Sequence, residues 1–188
     1  GGGSGEATGT SSSFARIVDE KPQDTTGGAS VVGTQDRTLN KIEYDADNIV
    51  TLDDNKFTLQ AGTYVIDYSA PSLRGDNHNA SLYSVTDDVK VAQGTPENTN
   101  KDISVTTRSI GRYFVTLTEP HTYKVRHFIK AVNPTSGLGG ASKLGPSIFA
   151  TVDIQKVGTG GASSGGETTD ILPVLYSGTV KSDGTVVR

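Results

Sequence analysis

The stretch from Lys56 to Pro71 reads Lys-Phe-Thr-Leu-Gln-Ala-Gly-Thr-Tyr-Val-Ile-Asp-Tyr-Ser-Ala-Pro and leaves little room for anything but β-structure. Phe57 and Leu59 alternate with Thr58 and Gln60, Ala61-Gly62 interrupts, and Tyr64, Ile66 and Tyr68 then alternate with Val65, Asp67 and Ser69. A period of two with aromatic and β-branched residues is the pattern of a half-buried strand. It predicts a short strand, a tight turn permitted by Gly62, and a central strand ending where Pro71 removes a donor. Fully burying Tyr64, Ile66 and Tyr68 contributes about 1.5–3 kcal/mol each, on condition that the phenols find hydrogen-bond partners.

The same period recurs on both sides. Phe14–Val18 opens the series, and Val31, Val32 followed by Leu39, Ile42 and Tyr44 predict two short strands separated by Gly33 and the Asp36-Arg37 pair. Ile49–Leu52 lies between the turn residues Asp45–Asn48 and Asp53–Asn55. Ala80–Thr86 and Val89–Ala92 form a hairpin turned by Asp87-Asp88. Ile103–Thr107 and Tyr113–Thr118 follow, with Gly111 read as a bulge between them. In His121–Val132 the phase Tyr123, Val125, His127, Ile129 opposes Lys124, Arg126, Phe128, Lys130, and His127 reads as a hydrogen-bonded packing or threefold-interface residue. Ile148–Val157 is the last long strand. No segment carries a helical period, so the fold class is an all-β antiparallel sandwich of about ten short strands with helix content close to nil.

Composition divides the chain. Residues 1–12 are a Gly/Ser-rich leader or linker, 13–157 a single head domain, 158–170 a second Gly/Ser-rich linker, and 171–188 a C-terminal β segment. Within that segment Thr179–Ser182 and Thr185–Arg188 flank Asp183-Gly184 as a two-residue hairpin. An isolated hairpin is marginal in water, so this tail is expected to dock on its own head, a neighbouring copy or a larger assembly. The opening run of glycines without Met reads as a piece of something longer. Without Cys there is neither a disulfide framework nor a thiolate metal site. A formal charge of −4 argues against a nucleic-acid partner, and no apolar run approaches the ~20 residues of a membrane span.

Several runs carry a family resemblance. Phe57-x-Leu-x-Ala-Gly-Thr-Tyr-x-Ile-x-Tyr-x-Ala-Pro71 resembles the centre of C1q-like globular heads in the tumour-necrosis-factor-like jelly-roll superfamily. Ala15-Arg16-Ile17, Gly27-Gly28, Arg37-Thr38-Leu39-Asn40 and Phe149-x-x-Val-x-Ile-x-Lys156 fit the same family in order. His78-Asn-Ala-Ser-Leu-Tyr-Ser-Val-Thr-Asp87 and Thr106-Thr-Arg-Ser-Ile-Gly111 look more like its bacteriophage branch. The resemblance spans Phe14 to Val157 and implies a ten-stranded jelly roll that forms a homotrimer. It further implies a non-enzymatic virion-surface protein of a bacteriophage, as a fibre or receptor-binding head or a capsid decoration (head fibre) protein. Such a protein is expected to meet other virion proteins through its C-terminal tail or N-terminal linker, and to meet a host surface glycan or protein.

Catalytic chemistry is sparse. His78, His121 and His127 stand apart without zinc-type spacing, and no Ser sits in G-x-S-x-G. Asp45-Ala-Asp47-Asn48 starts like a calcium loop but lacks the following Gly and the closing Glu, and Asp53-Asp54 and Asp87-Asp88 read equally as turn-formers. No catalytic, cofactor or metal residue is therefore assigned, and no cofactor is expected. Arg74-Gly75-Asp76 is the tripeptide that integrins read, here in a turn-prone loop. Recognition is expected on the loops Ser72–Asn79, Gly94–Lys101 and Asn133–Pro146, with Arg74, Asp76, Asn77, His78, Asn98, Asn100 and Asn133 as candidates. Two rival classes have their own signatures. A carbohydrate-binding or adhesin module outside a virus would show an aromatic platform on an exposed sheet face, and a depolymerase would need a cleft with paired carboxylates.

Overall fold

In the computed structural model, which describes residues 11–158, 179–180 and 186–187, every regular element is a strand. They are β1 (Ser13–Lys21), β2 (Gly33–Asp36), β3 (Lys41–Asp45), β4 (Val50–Asp53), β5 (Lys56–Leu59), β6 (Gly62–Leu73) and β7 (Asp76–Ser84). The series continues with β8 (Val89–Gln93), β9 (Glu97–Thr99), β10 (Thr106–Leu117), β11 (His121–Ile129), β12 (Ser147–Val157), β13 (Thr179–Val180) and β14 (Val186–Val187). The leader up to residue 10 and the linker from residue 159 lie outside the described residues.

Two antiparallel sheets face each other. One has five strands in the order β10-β6-β12-β1-β3. The other runs β4-β5-β11-β7-β8, with β2 added on β11 and β9 added on β7 to make seven. The two sheets thus hold twelve strands, where the sequence predicts about ten; the two extras, β2 and β9, are short, polar and without an alternation to announce them. β6 buries Tyr64, Ile66, Tyr68 and Ala70 on one phase, as its alternation requires. These side chains meet Phe57, Leu59, Leu82, Tyr123 and Val125 from the opposite sheet in one core. Phe57 and Tyr123 pack with ring centroids 5.7 Å apart, and Tyr113 meets Tyr123 edge-on at 6.4 Å. Among the described residues the buried Tyr64 hydroxyl has no partner, so its burial contributes less than the full apolar figure.

Three local readings change. β6 does not stop at Pro71 but continues to Leu73, because its pairing with β12 ends at Ser69 and the donor-less proline follows where β10 is the neighbour in register. Gly111 is not a bulge: β10 stays in register with β6 from Thr106 to Leu117. Its missing side chain instead makes room for the Tyr68 ring, whose Cζ lies 2.2 Å from where a Cβ would stand. Val31 and Val32 lie outside any strand and are exposed, whereas Arg37, read as part of a polar separator, is buried. In the C-terminal segment β13 and β14 pair Thr179 with Val187 and Val180 with Val186, and the predicted turn at Asp183-Gly184 lies outside the described residues.

Candidate functional site

Two surfaces and one buried network hold the chemistry of this molecule. The first surface is the outer face of the five-stranded sheet. Register places Arg112, Asp67, Asp153, Arg16 and Tyr44 side by side across all five strands. Next to them Phe114, Val65, Gln155 and Phe14 form a parallel row. Asp67 and Asp153 oppose each other directly, an unfavourable pairing for like charges. It is tolerated because each carboxylate has its own arginine. Arg112 clamps Asp67 with bonds of 2.6 and 2.9 Å, and Arg16 holds Asp153 at 2.8 Å and Glu43 at 2.7 Å. Ile110 is 55% exposed and Phe114 67% exposed on this face, with Phe14 and Tyr44 also open. A groove of about 780 Å³ runs past Asp67, Ser69, Thr95, Ile110 and Arg112, and a smaller one of about 380 Å³ shares Asp67 and Asp153 with it. Apolar residues displayed in register rather than scattered mark an interaction surface.

The second surface is the opposite outer face, on the seven-stranded sheet. A cleft of about 310 Å³ there is lined by Thr34, Asn79, Ser81, Tyr83, Arg126 and Phe128 among others. The Arg126 guanidinium lies 4.7 Å from the Tyr83 ring centroid, and Asp36 takes Lys124 at 2.8 Å.

The predicted recognition residues divide. The Ser72–Asn79 segment is strand except for Arg74 and Gly75, because β6 ends at Leu73 and β7 starts at Asp76. Arg74 and Asp76 hold the turn with φ of 57° and 60°, and Gly75 is buried, its N–H donating to Thr99 Oγ1 at 2.7 Å. Asp76 pairs with Lys130 at 3.1 Å, so the Arg-Gly-Asp tripeptide does not protrude as a free loop. Arg74, Asn77, Asn98 and Asn100 are exposed, and Asn98 Nδ2 donates to Asn77 Oδ1 at 3.3 Å. His78 and Asn133, by contrast, are inside. Asn133 Oδ1 accepts from the N–H groups of Thr135 and Ser136, and its Nδ2 donates to Leu73 O, which makes it the organiser of its loop. The acidic turn candidates also have local work: Asp45 accepts from Ile49 N and Val50 N, Asp87 from Ser84 Oγ, and Asp88 from the Tyr83 hydroxyl.

The buried network was invisible in the sequence. Arg37 is 1% exposed, and its Nη1 donates to Pro71 O at 2.8 Å and faces His127 Nδ1 at 3.0 Å, while Nη2 donates to Leu138 O at 2.9 Å. His127 Nε2 meets His78 Nδ1 at 2.8 Å, and His78 Nε2 meets Thr107 Oγ1 at 2.8 Å. The histidines that stand far apart along the chain are thus joined by β11 and β7, on which they occupy diagonal inward positions. His127 is a hydrogen-bonded packing residue of the core, as its strand phase predicts. Burial, followed by the Arg37 charge and then His78, pushes the His127 imidazole down to about 2. Burial likewise holds His78 at about 4, against an opposing pull from Glu97 and with a further push down from Arg37. Burial lowers even the Arg37 guanidinium, to about 10, which Asp19 partly offsets. Among the described residues no group of three or more His, Cys, Asp or Glu gathers as a metal site.

No protein-family model matches the chain, and no curated protein sequence matches it. Its likeness is to solved structures. The globular domain of zebrafish complement 1qA protein superposes with a TM-score of 0.50 at 18% identity, covering 78% of this chain and 97% of that one. Murine APRIL at pH 5.0 gives a TM-score of 0.50 at 10% identity, covering 78% and 100%. At these identities the likeness is one of fold: two antiparallel sheets arranged as a jelly roll similar to those two structures.

Proposed function

We propose that this chain is a non-enzymatic structural protein of a bacteriophage virion, a homotrimeric surface knob serving as a fibre or receptor-binding head or as a capsid decoration protein. The observation that carries the reading is the outer face of the five-stranded sheet, where Phe14, Tyr44, Ile110 and Phe114 lie open beside Asp67, Asp153 and Glu43, each of which already has an arginine partner. A face whose carboxylates are already held by arginines of the same chain but which exposes aromatic area suits packing against sister copies. The phage assignment rests on the ordered resemblance of His78–Asp87 and Thr106–Gly111 to phage heads of this type. The exposed Arg74, Asn77, Asn98 and Asn100 would face the host, and the C-terminal tail or N-terminal linker would join other virion proteins. The opposed carboxylates Asp67 and Asp153 do not favour a glycosidase, because that chemistry needs one proton-bearing acid and each here is clamped by an arginine.

Light scattering on the purified protein tests the assembly, with a threefold protomer mass expected and a monomer at micromolar concentration refuting it. Antibody-labelled electron microscopy of particles then separates fibre tip from capsid surface, and absence from every particle defeats the virion reading. The cleft between Tyr83 and Phe128 favours a second reading, a carbohydrate-binding or adhesin module outside a virus. Glycan-array binding that is lost in Phe128→Ala, by a protein found on no particle, would establish it instead.

A further inference from the structure

The donor count along the buried chain from Arg37 to Thr107 has only one solution. Arg37 offers N–H groups and nothing else, so His127 Nδ1 must accept from it. His127 Nε2 therefore carries the ring proton and donates to His78 Nδ1, and His78 Nε2–H donates to Thr107 Oγ1. Each imidazole has one proton-free nitrogen, and both of these are occupied as acceptors. A proton added to His127 would set N–H against N–H across 3.0 Å with a guanidinium behind it. A proton added to His78 would do the same against His127 across 2.8 Å. Neither ring can charge in place.

The chain adds polar ties between parts of the fold on top of the apolar core. His78 on β7 and His127 on β11 belong to the seven-stranded sheet, and Thr107 on β10 belongs to the other. Arg37 reaches the end of β6 through Pro71 O and the Asn133–Pro146 loop through Leu138 O. That loop is also held to the body by backbone bonds such as Leu138 N–H to Gly28 O and Leu73 N–H to Gly137 O, and by side-chain bonds such as Asn133 Nδ2 to Leu73 O and Thr26 Oγ1 to Thr135 O.

We propose that the Arg37–His127–His78–Thr107 chain is an acid-sensitive latch, which holds the loop-bearing end closed at neutral pH and releases it when the two histidines take up protons. The charged groups around it are Asp19 and Lys21 from β1, Arg108 from β10, Glu97 from β9 and Arg37 itself. Burial works against protonation of both rings and the Arg37 charge adds to it, while at His78 Glu97 pulls the other way and outweighs Arg37 there without overcoming burial. The depressed folded values fix the sign. Against an ordinary 6.5, the fold gains from keeping both rings neutral above that pH and loses the gain as pH falls toward about 4 for His78 and about 2 for His127. Asp19 acts in the opposite sense, since burial raises its carboxyl, and it offsets part of the loss at the acid end.

Hydrogen exchange on the full chain at fixed concentration tests the latch, corrected for the intrinsic pH dependence of exchange. Amides of Ala131, Leu138 and Gly139 should lose protection about tenfold per pH unit per histidine released between about pH 6 and 4.5, while Ile66 and Val152 in the core strands stay protected. The paired variant His78→Gln, His127→Gln can accept and donate as the neutral rings do but cannot charge, so its loop protection should not vary with pH. A wild-type loop insensitive to acid, or a paired variant with the wild-type slope, overturns the proposal. Ring nitrogen NMR of the unaltered protein decides the matter even if the variant fails to fold. Both rings should be neutral Nε2–H tautomers that titrate only as the loop amides open, and a ring that charges near pH 6.5 with the loop still protected overturns it as well.

Discussion

Gly111→Ala is the sharpest single test of the packing. A Cβ at position 111 would stand 2.2 Å from Tyr68 Cζ, 2.3 Å from its hydroxyl oxygen and 2.7 Å from Cε2. Carbon atoms in contact prefer about 3.5–4.0 Å, so the ring has to retreat by more than about 1 Å. Tyr68 is buried within the core, where close packing resists such a shift. Overpacking of this kind costs about 1–3 kcal/mol, against which alanine returns about 0.5–1 kcal/mol of backbone entropy lost by glycine. The expected net loss is about 1 kcal/mol, or about 2–4 °C in Tm for a domain of this size. Urea unfolding at one fixed protomer concentration measures it. Adding Tyr68→Leu removes the ring that the methyl strikes, so the double variant should be more stable than the sum of the single losses by at least about 1 kcal/mol. A bulge glycine, held for its backbone angles, would show no such rescue. A neutral Gly111→Ala, or single losses that simply add, would refute the assignment of Gly111 as the seat of the Tyr68 ring.

Two further outcomes follow from the same coordinates. Asn133→Ala strips the acceptor from Thr135 N–H and Ser136 N–H and the donor from Leu73 O at a site 7% exposed, so thermal unfolding should show a loss of about 1–3 kcal/mol. If Asn133 were an exposed recognition residue, stability would hardly change. Phe114→Asp on the open sheet face should reduce the mass seen by light scattering to that of one protomer without unfolding it, whereas Leu144→Asp, at 93% exposure on a loop, should leave the mass unaltered. Equal masses for the two variants would remove this face from the assembly.

The sequence alone determined the class of fold and its central strand. The alternation of Tyr64, Ile66 and Tyr68, and that of Tyr123, Val125, His127 and Ile129, reappear as inward phases because a pleated strand buries every second residue whatever its neighbours are. The rows of the open face were half legible, since Ile110, Arg112 and Phe114 already share one phase of β10. Which strands stand beside them depended on register, and register is set by pairings between residues far apart in the chain. Tertiary structure alone decided that Arg37 is buried, that His78 leaves the recognition loops for the interior, and that it meets His127 across a 49-residue separation. Local pattern reports which face of a strand a residue takes. It carries no record of the partner that makes burying a charge or an imidazole affordable, because that partner arrives only when the two sheets close.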